Sequence, residues 1–323
     1  MEFGIFIGGA TYKDVVPKIV VATEKSGYHS FWVSDHLFLP DHFYKAVGMS
    51  PEKGESPLLE AWTTMAAAAA LTKRVKLGVG VTPIPMRNPS ILAKEVATVD
   101  YFSNGRVIFG CGVGWHRREF EAYGISWDNY KVRFEKMLEG LEVIKKLWTE
   151  PFASFTGKYY QLRNAPLWPK PIRKPHPPIW FGGTSDSTIR AIAKHGNGWV
   201  PYCFSPSEFK ILHEKLKKAL TEEGRKADEI TVACVVLAHL ESSSEKAYEF
   251  AKPIIKLRGT RTLTSERWGE ALERSVIGSR EECISKIEEY EKAGVQHLLF
   301  EMIHPKQVYR QVKKFGSIVS AFK

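Results

Sequence analysis

Glu291-Lys292-Ala293-Gly294 ends a helix-forming run and opens onto the apolar stretch His297-Leu298-Leu299-Phe300-Glu301-Met302. The same grammar occurs twice more. Glu24-Lys25-Ser26-Gly27 leads into 29–34, and Ala193-Lys194-His195-Gly196 leads into 198–201. In each case a glycine is expected to supply the left-handed residue that a tight helix-to-strand turn needs. Working outward, further apolar runs stand at 3–7, 75–80, 106–111, 178–182 and 230–238. Most are continuously apolar, as parallel strands buried on both faces are. Repeated strand–helix units with right-handed crossovers build a parallel sheet, and eight of them close into a barrel. The predicted fold is therefore an α/β (β/α)8 TIM barrel with insertion segments, one domain over residues 1–323. An open dinucleotide-binding sheet is the alternative, but no strand is followed by GxGxxG.

The helices between these strands carry their own signals. Phe134, Met137, Leu138, Leu141, Ile144, Leu147 and Trp148 recur at spacings of three and four, which marks one buried helix face. Ser205-Pro206-Ser207-Glu208 and Ser279-Arg280-Glu281-Glu282 read as capping boxes, and Asn88-Pro89 as an N-cap followed by proline. The run 65–71 is apolar but far shorter than the ~20 residues a membrane span needs, so it reads as a buried alanine-rich helix. Three segments exceed ordinary loop lengths: 37–57, 151–178 with the hairpin-like 155–160, and 257–278. Such segments in a compact domain are usually functional lids or disordered. Their aromatics, Phe38, Phe43, Tyr44, Trp127, Phe155, Tyr159, Tyr160 and Trp168, either line an apolar substrate pocket or pack loops and a dimer interface.

Composition is that of an ordinary globular chain, with 44% hydrophobic and 25% charged residues. The first twenty residues show no signal peptide. The four cysteines, Cys111, Cys203, Cys234 and Cys283, form no CxxC pair, which argues against zinc or a disulfide framework and for a reducing cytoplasm. The formal charge of +10 is spread among acids rather than gathered in an arginine-rich arm. No nucleic acid is expected from it; a solvated surface or a polyanionic small ligand accounts for the charge. HExxH, GxSxG and Walker sequences are absent, and no metal site is expected.

A barrel builds its active site at the C-terminal ends of its strands. That rule selects Gly8 and Gly9, Asp35 and His36, the run Gly80-Val81-Thr82-Pro83, the run Gly110-Cys111-Gly112-Val113-Gly114-Trp115, and Gly182-Gly183-Thr184-Ser185. Glycine lets a backbone approach a planar or phosphorylated ligand. The Gly182–Ser187 stretch opens a helix, so it suits a phosphate, or is a plain capped turn. Asp35-His36 is the acid–histidine pair at a strand end, and His36 suits proton transfer. His116 is a second candidate, whereas His195 and His297 fall on the opposite side and read as structural.

At these residues the chain resembles the bacterial luciferase-like superfamily of (β/α)8 flavin and deazaflavin enzymes, end to end. The matching stretches are Phe31-Trp32-Val33-Ser34-Asp35-His36, Leu77-Gly78-Val79-Gly80-Val81-Thr82, Met86-Arg87-Asn88-Pro89, 92–115 with Ser103-Asn104-Gly105-Arg106, Pro177-Pro178-Ile179-Trp180-Phe181-Gly182-Gly183 and Gly196-Asn197-Gly198-Trp199. Asp35-His36 and Met86–Pro89 look like the branch that uses coenzyme F420. The resemblance implies an F420-dependent oxidoreductase acting on an unidentified organic substrate, with His36 catalytic. It implies a coenzyme site at Asp35, His36, Gly80, Val81, Thr82, Cys111, Val113, Gly114, Gly182, Gly183, Thr184 and Ser185. Gly80-Val81 matches a bulge that holds a non-prolyl cis peptide in the family, and Val113, Gly114 and Gly182–Ser185 match the ribityl-phosphate contacts. A homodimer is implied as well. Sugar-phosphate dehydrogenases of this branch carry tryptophan at Pro40 and glutamate at Trp115, so their substrate is not carried over. The methylene-tetrahydromethanopterin reductases have a shorter segment after the second strand, and their substrate is not carried over either. An FMN-dependent monooxygenase is the alternative, and a non-catalytic flavin-binding barrel a third reading.

Overall fold

The computed structural model describes residues 1–8, 15–53, 58–258 and 268–322. Gly9, and parts of the long segments 37–57 and 257–278, lie outside the described residues. Eight parallel strands follow one another: β1 (Glu2–Ile7), β2 (Ser30–Val33), β3 (Lys76–Val79), β4 (Val107–Gly112), β5 (Ile179–Phe181), β6 (Gly198–Trp199), β7 (Thr231–Leu240) and β8 (His297–Met302). Each falls on a predicted run. Sequential neighbours pair, β8 pairs with β1 from Glu2↔His297 to Phe6↔Glu301, and β6 pairs with β7 at Thr231↔Gly198. The sheet is thus closed, which leaves no exposed barrel edge.

Each strand is followed by a helix of the outer ring: α1 (Val15–Lys25), α2 (Ala61–Leu71), α3 (Pro89–Ser103), α4 (Tyr130–Thr149), α5 (Asp186–His195), α6 (Pro206–Glu222), α7 (Arg280–Lys292) and α8 (Val308–Val319). Side chains alternate across each strand. One set fills the layer between strands and helices, including Phe31, Leu77, Phe109, Cys111, Phe181 and Phe300. The other fills the barrel: Phe6, Trp32, Ile108, Trp180, Val200, Ala233, Val235 and Leu299, with the Trp32 and Trp180 rings 5.2 Å apart.

The capping signals act as read. Ser205 and Ser279 each form a capping box, and Asn88 Oδ1 accepts from the Ser90 and Ile91 amides ahead of Pro89. Ser103-Asn104-Gly105-Arg106 is a turn in which Asn104 (φ 56°) and Gly105 (φ 77°) are left-handed. Arg106 then donates to the Ala69, Thr72, Val75 and Ser103 carbonyls. The alanine-rich helix is α2, but only one side is buried: Ala67, Ala70 and Leu71 are exposed. The 151–178 segment holds an antiparallel hairpin, Phe152–Thr156 with Gln161–Pro166. Two strands were not expected. Thr82–Pro83 resumes pairing with β4 beyond β3, and Ser275–Gly278 adds a parallel strand to the end of β7. The helix Asp41–Ala46 shares an apolar cluster with the helix Ser244–Arg258, so two insertions wall the C-terminal face together. Among the described residues no helix is long and apolar enough to cross a membrane, and no group of three or more His, Cys, Asp or Glu could hold a metal ion.

Candidate active site

The backbone between β3 and its continuation is cis at Gly80–Val81. The Val81 side chain stands against the ends of β4 and β5, where its neighbours Gly112 and Gly182 have no side chain. A Cβ on Gly112 would stand 2.6 Å from Val81 Cγ2, and one on Gly182 2.9 Å away. Real side chains do not approach this closely, so glycine is required at both positions. Gly80, Val81, Gly112 and Gly182 thus meet as one wall at the ends of β3, β4 and β5. Thr82 and Cys111 do not join it. Thr82 Oγ1 accepts from Trp62 Nε1 at 3.1 Å, and Cys111 lies in the layer between strands and helices, where burial pushes its thiol pKa up. Both back the wall from behind. Gly114 (φ 77°) turns the chain above Phe120, and Val113 packs at the edge of the core.

Beside it, β2, which pairs with β3 up to Val33↔Val79, runs into Asp35 and His36. Asp35 is clamped in a two-pronged ion pair, Arg87 Nε to Oδ2 at 3.0 Å and Nη2 to Oδ1 at 2.7 Å. Arg87 Nη2 also donates to Glu60 Oε1 at 2.7 Å, while Glu60 caps the start of α2 by accepting from the Trp62 and Thr63 amides. Burial alone would lower the Arg87 pKa; Asp35 and Glu60 outweigh it, and the guanidinium is held charged above its ordinary range. Asp35 thus fixes the loop after β2 to α2 and α3.

His36 takes a different partner. Its Nδ1 lies 3.0 Å from Glu119 Oε2, and the Leu37 amide donates to the other Glu119 oxygen. Glu119 is 1% exposed, in the short helix Arg117–Ala122. A carboxylate only accepts, so this contact places the His36 proton on Nδ1 and leaves Nε2 for a reacting group. His116 Nδ1 stands 3.8 Å from the same oxygen without a hydrogen-bond partner, and burial keeps the ring below its ordinary pKa, hence neutral.

The Gly182–Ser185 stretch meets the start of α5. Gly183 is left-handed (φ 95°), its carbonyl accepts from Trp199 Nε1 at 2.9 Å, and Ser185 caps the helix with its Oγ toward the Thr188 amide. The Ser185 hydroxyl is 2.9 Å from both Ser187 Oγ and Thr188 Oγ1. Tyr130 Oη reaches Ser185 at 2.7 Å and Ser187 at 2.9 Å. Burial raises the Tyr130 pKa, but the three hydroxyl contacts outweigh it and bring the phenol below its usual range. Hydroxyls gathered at a helix N-terminus suit an anion.

Several groups were not singled out in the sequence: Glu119, Tyr130, Glu301 and Tyr202. Glu301 ends β8 on the barrel-facing side, 2% exposed, and accepts from Tyr202 Oη at 2.7 Å. An acidic residue at an inward position near the end of an apolar strand was a legible signal. Glu119 and Tyr130 meet their partners across 83 and 55 residues, and nothing local announces that.

The family model described as luciferase-like monooxygenase matches residues 1–297. An F420-dependent glucose-6-phosphate dehydrogenase of Amycolatopsis mediterranei is 31% identical over 309 residues, covering 89% of this chain and 88% of that one. A solved F420-dependent secondary alcohol dehydrogenase in complex with an F420-acetone adduct superposes with a TM-score of 0.81 at 23% identity, over 100% of this chain and 99% of that one. The monooxygenase RslO1 of Streptomyces bottropensis gives 0.82 at 19% identity, over all of both chains.

Proposed function

The chain belongs to the luciferase-like monooxygenase family and is an oxidoreductase, and from that premise we propose that it binds coenzyme F420 at the barrel mouth and moves a hydride between it and a small organic molecule. The observation that supports this reading is the group of glycines at the mouth, Gly80, Gly112 and Gly182, the last two packed against Val81, next to the strand end that bears His36. A flat tricyclic ring needs such a surface. Ser185, Ser187, Thr188 and Tyr130 would hold its phosphate. Val113, Gly114, Gly183 and Thr184 would contact the arm that joins ring to phosphate.

A bound deazaflavin supplies the carbon that accepts or returns a hydride. The chain's own residues do the rest. His36 Nε2 takes the proton from a substrate hydroxyl as it is oxidised, and gives it back in the reverse direction. Glu119 holds the ring in the required tautomer and balances the imidazolium charge while it lasts. Arg87, through Asp35, holds the loop that carries His36. FMN, with a tricyclic ring and a phosphate on the same ribityl arm, is the second reading, supported by the family description as monooxygenase. A homodimer fits the exposed apolar face of α2 and α3, where Leu71, Ile91, Tyr101 and Phe102 stand in solvent. Four free, buried cysteines suit a reducing cytoplasm.

Titration of the purified protein with F420 and with FMN tests the assignment. F420 is expected to bind, and H36A to bind it equally while losing ~10²–10⁴-fold in turnover. Tight FMN binding without F420 binding overturns the reading.

A further inference from the structure

We propose that Trp115 selects for an uncharged secondary alcohol, or the ketone formed from it, whose reacting carbon bears an aryl group. The inference rests on the reading of His36 as the base beside a redox ring.

Trp115 follows the left-handed Gly114 at the end of β4 and is 57% exposed. Its ring meets His36 edge-on, centroids 5.5 Å apart at 81°, and stacks on His116 at 5.3 Å and 25°. From there the aromatic surface continues. His116 meets Phe38 at 5.1 Å, and Phe38 stacks on Tyr123 at 6.3 Å, with Tyr123 also 57% exposed. An open shelf of rings beside a proton-transferring histidine is the apolar part of a ligand site, with His36 as its orienting polar group. The centroid spacing sets the reach. A hydroxyl on the carbon next to an aromatic ring spans from His36 to the indole, whereas a hydroxyl several bonds away overshoots it.

Charge points the same way. The exposed cations of this helix are already partnered, Arg117 with Glu121 at 2.7 Å and Arg118 with Asp41 at 4.0 Å. The buried charge nearest His36 is the Glu119 carboxylate, which repels a phosphorylated substrate. In the oxidative direction the carbinol O–H proton passes to His36 and the C–H hydride to the oxidised coenzyme. A C=O bond forms, and the coenzyme is reduced by two electrons. The reverse direction consumes reduced coenzyme and a proton.

The test measures kcat/KM of the F420-loaded protein for 1-phenylethanol, 2-propanol and glucose 6-phosphate, with W115A and W115F beside it. The wild type is expected to prefer 1-phenylethanol over 2-propanol by about tenfold or more; W115A brings the ratio to about one through KM, and W115F restores most of it. Calorimetry with acetophenone on the coenzyme-free protein supplies a second readout, in which W115A weakens binding about fivefold or more. Equal selectivity in wild type and W115A, preference for glucose 6-phosphate, or acetophenone binding indifferent to Trp115 overturns the proposal. Failure of F420 to bind while acetophenone binding still depends on Trp115 supports the proposal and removes only the coenzyme assignment.

Discussion

At the rim, three ionisable side chains are each held by a named partner: Asp35 by Arg87, His36 by Glu119, Glu301 by Tyr202. Asp35 and His36 were legible because a barrel's chemistry sits at strand ends, and the alternating pattern located those ends. Their partners were not, because ion pairing across a closed sheet obeys no sequence spacing. Glu119 is where this matters for rate. Replacing it by glutamine keeps a hydrogen-bond partner for His36 Nδ1 but removes the charge that balances an imidazolium. E119Q is expected to lower kcat/KM about 10–100-fold with coenzyme affinity within twofold, read by single-turnover coenzyme reduction and by titration. An E119Q protein that turns over at the wild-type rate would show that the carboxylate does nothing beyond packing.

Elements were more readable where one residue closes its own local bonds. Ser279 Oγ accepts from the Glu282 amide while the Glu282 side chain accepts from the Ser279 amide, and both partners sit within four residues. S279A leaves the Glu282 amide unpaired at the start of α7, a loss of about 1 kcal/mol and about 2 °C in Tm. Thermal unfolding followed by circular dichroism measures it, and an unchanged midpoint refutes the role. The repeated helix–glycine–strand grammar was half right in its physics. Gly27 (φ 78°) and Gly294 (φ 98°) are left-handed. Gly196 is extended (φ −86°) and is glycine because a Cβ there would meet the Ile192 carbonyl oxygen at 2.9 Å. The strand Ser275–Gly278 escaped notice for a further reason. Four residues inside a long segment carry too little pattern, and its existence depends on β7 running on to Leu240.

For the whole molecule, the barrel was legible because closure follows from counting eight like units, while the packing inside it was not. At its N-terminal end His297, 1% exposed, points inward from β8. Its Nε2 is 2.8 Å from Ser30 Oγ, and that hydroxyl also accepts from Trp32 Nε1 at 2.7 Å. With the neutral ring's proton on Nδ1, toward the Glu2 carboxylate, Ser30 donates to Nε2; protonating the ring turns Nε2 into a donor, orphans the serine proton and buries a charge. Burial first, then the charge of His29, brings the His297 pKa to about 3, and Glu2 at 3.4 Å from Nδ1 is too solvated to offset it. A histidine whose folded pKa lies below its unfolded value of 6.5 stabilises the fold fully above pH 6.5, and that contribution drains away as pH falls toward 3. His239, with a pKa of about 4, acts in the same direction. Between pH 6.5 and about pH 4.5 the wild type is expected to lose about 2–3 kcal/mol through His297 alone. H297N, less stable at neutral pH, loses correspondingly less over that interval, because it no longer carries a proton-binding group that only the unfolded chain can charge. Urea unfolding of both proteins across the interval gives the two slopes, and parallel slopes would mean that the ring at the barrel's base titrates as it does in water.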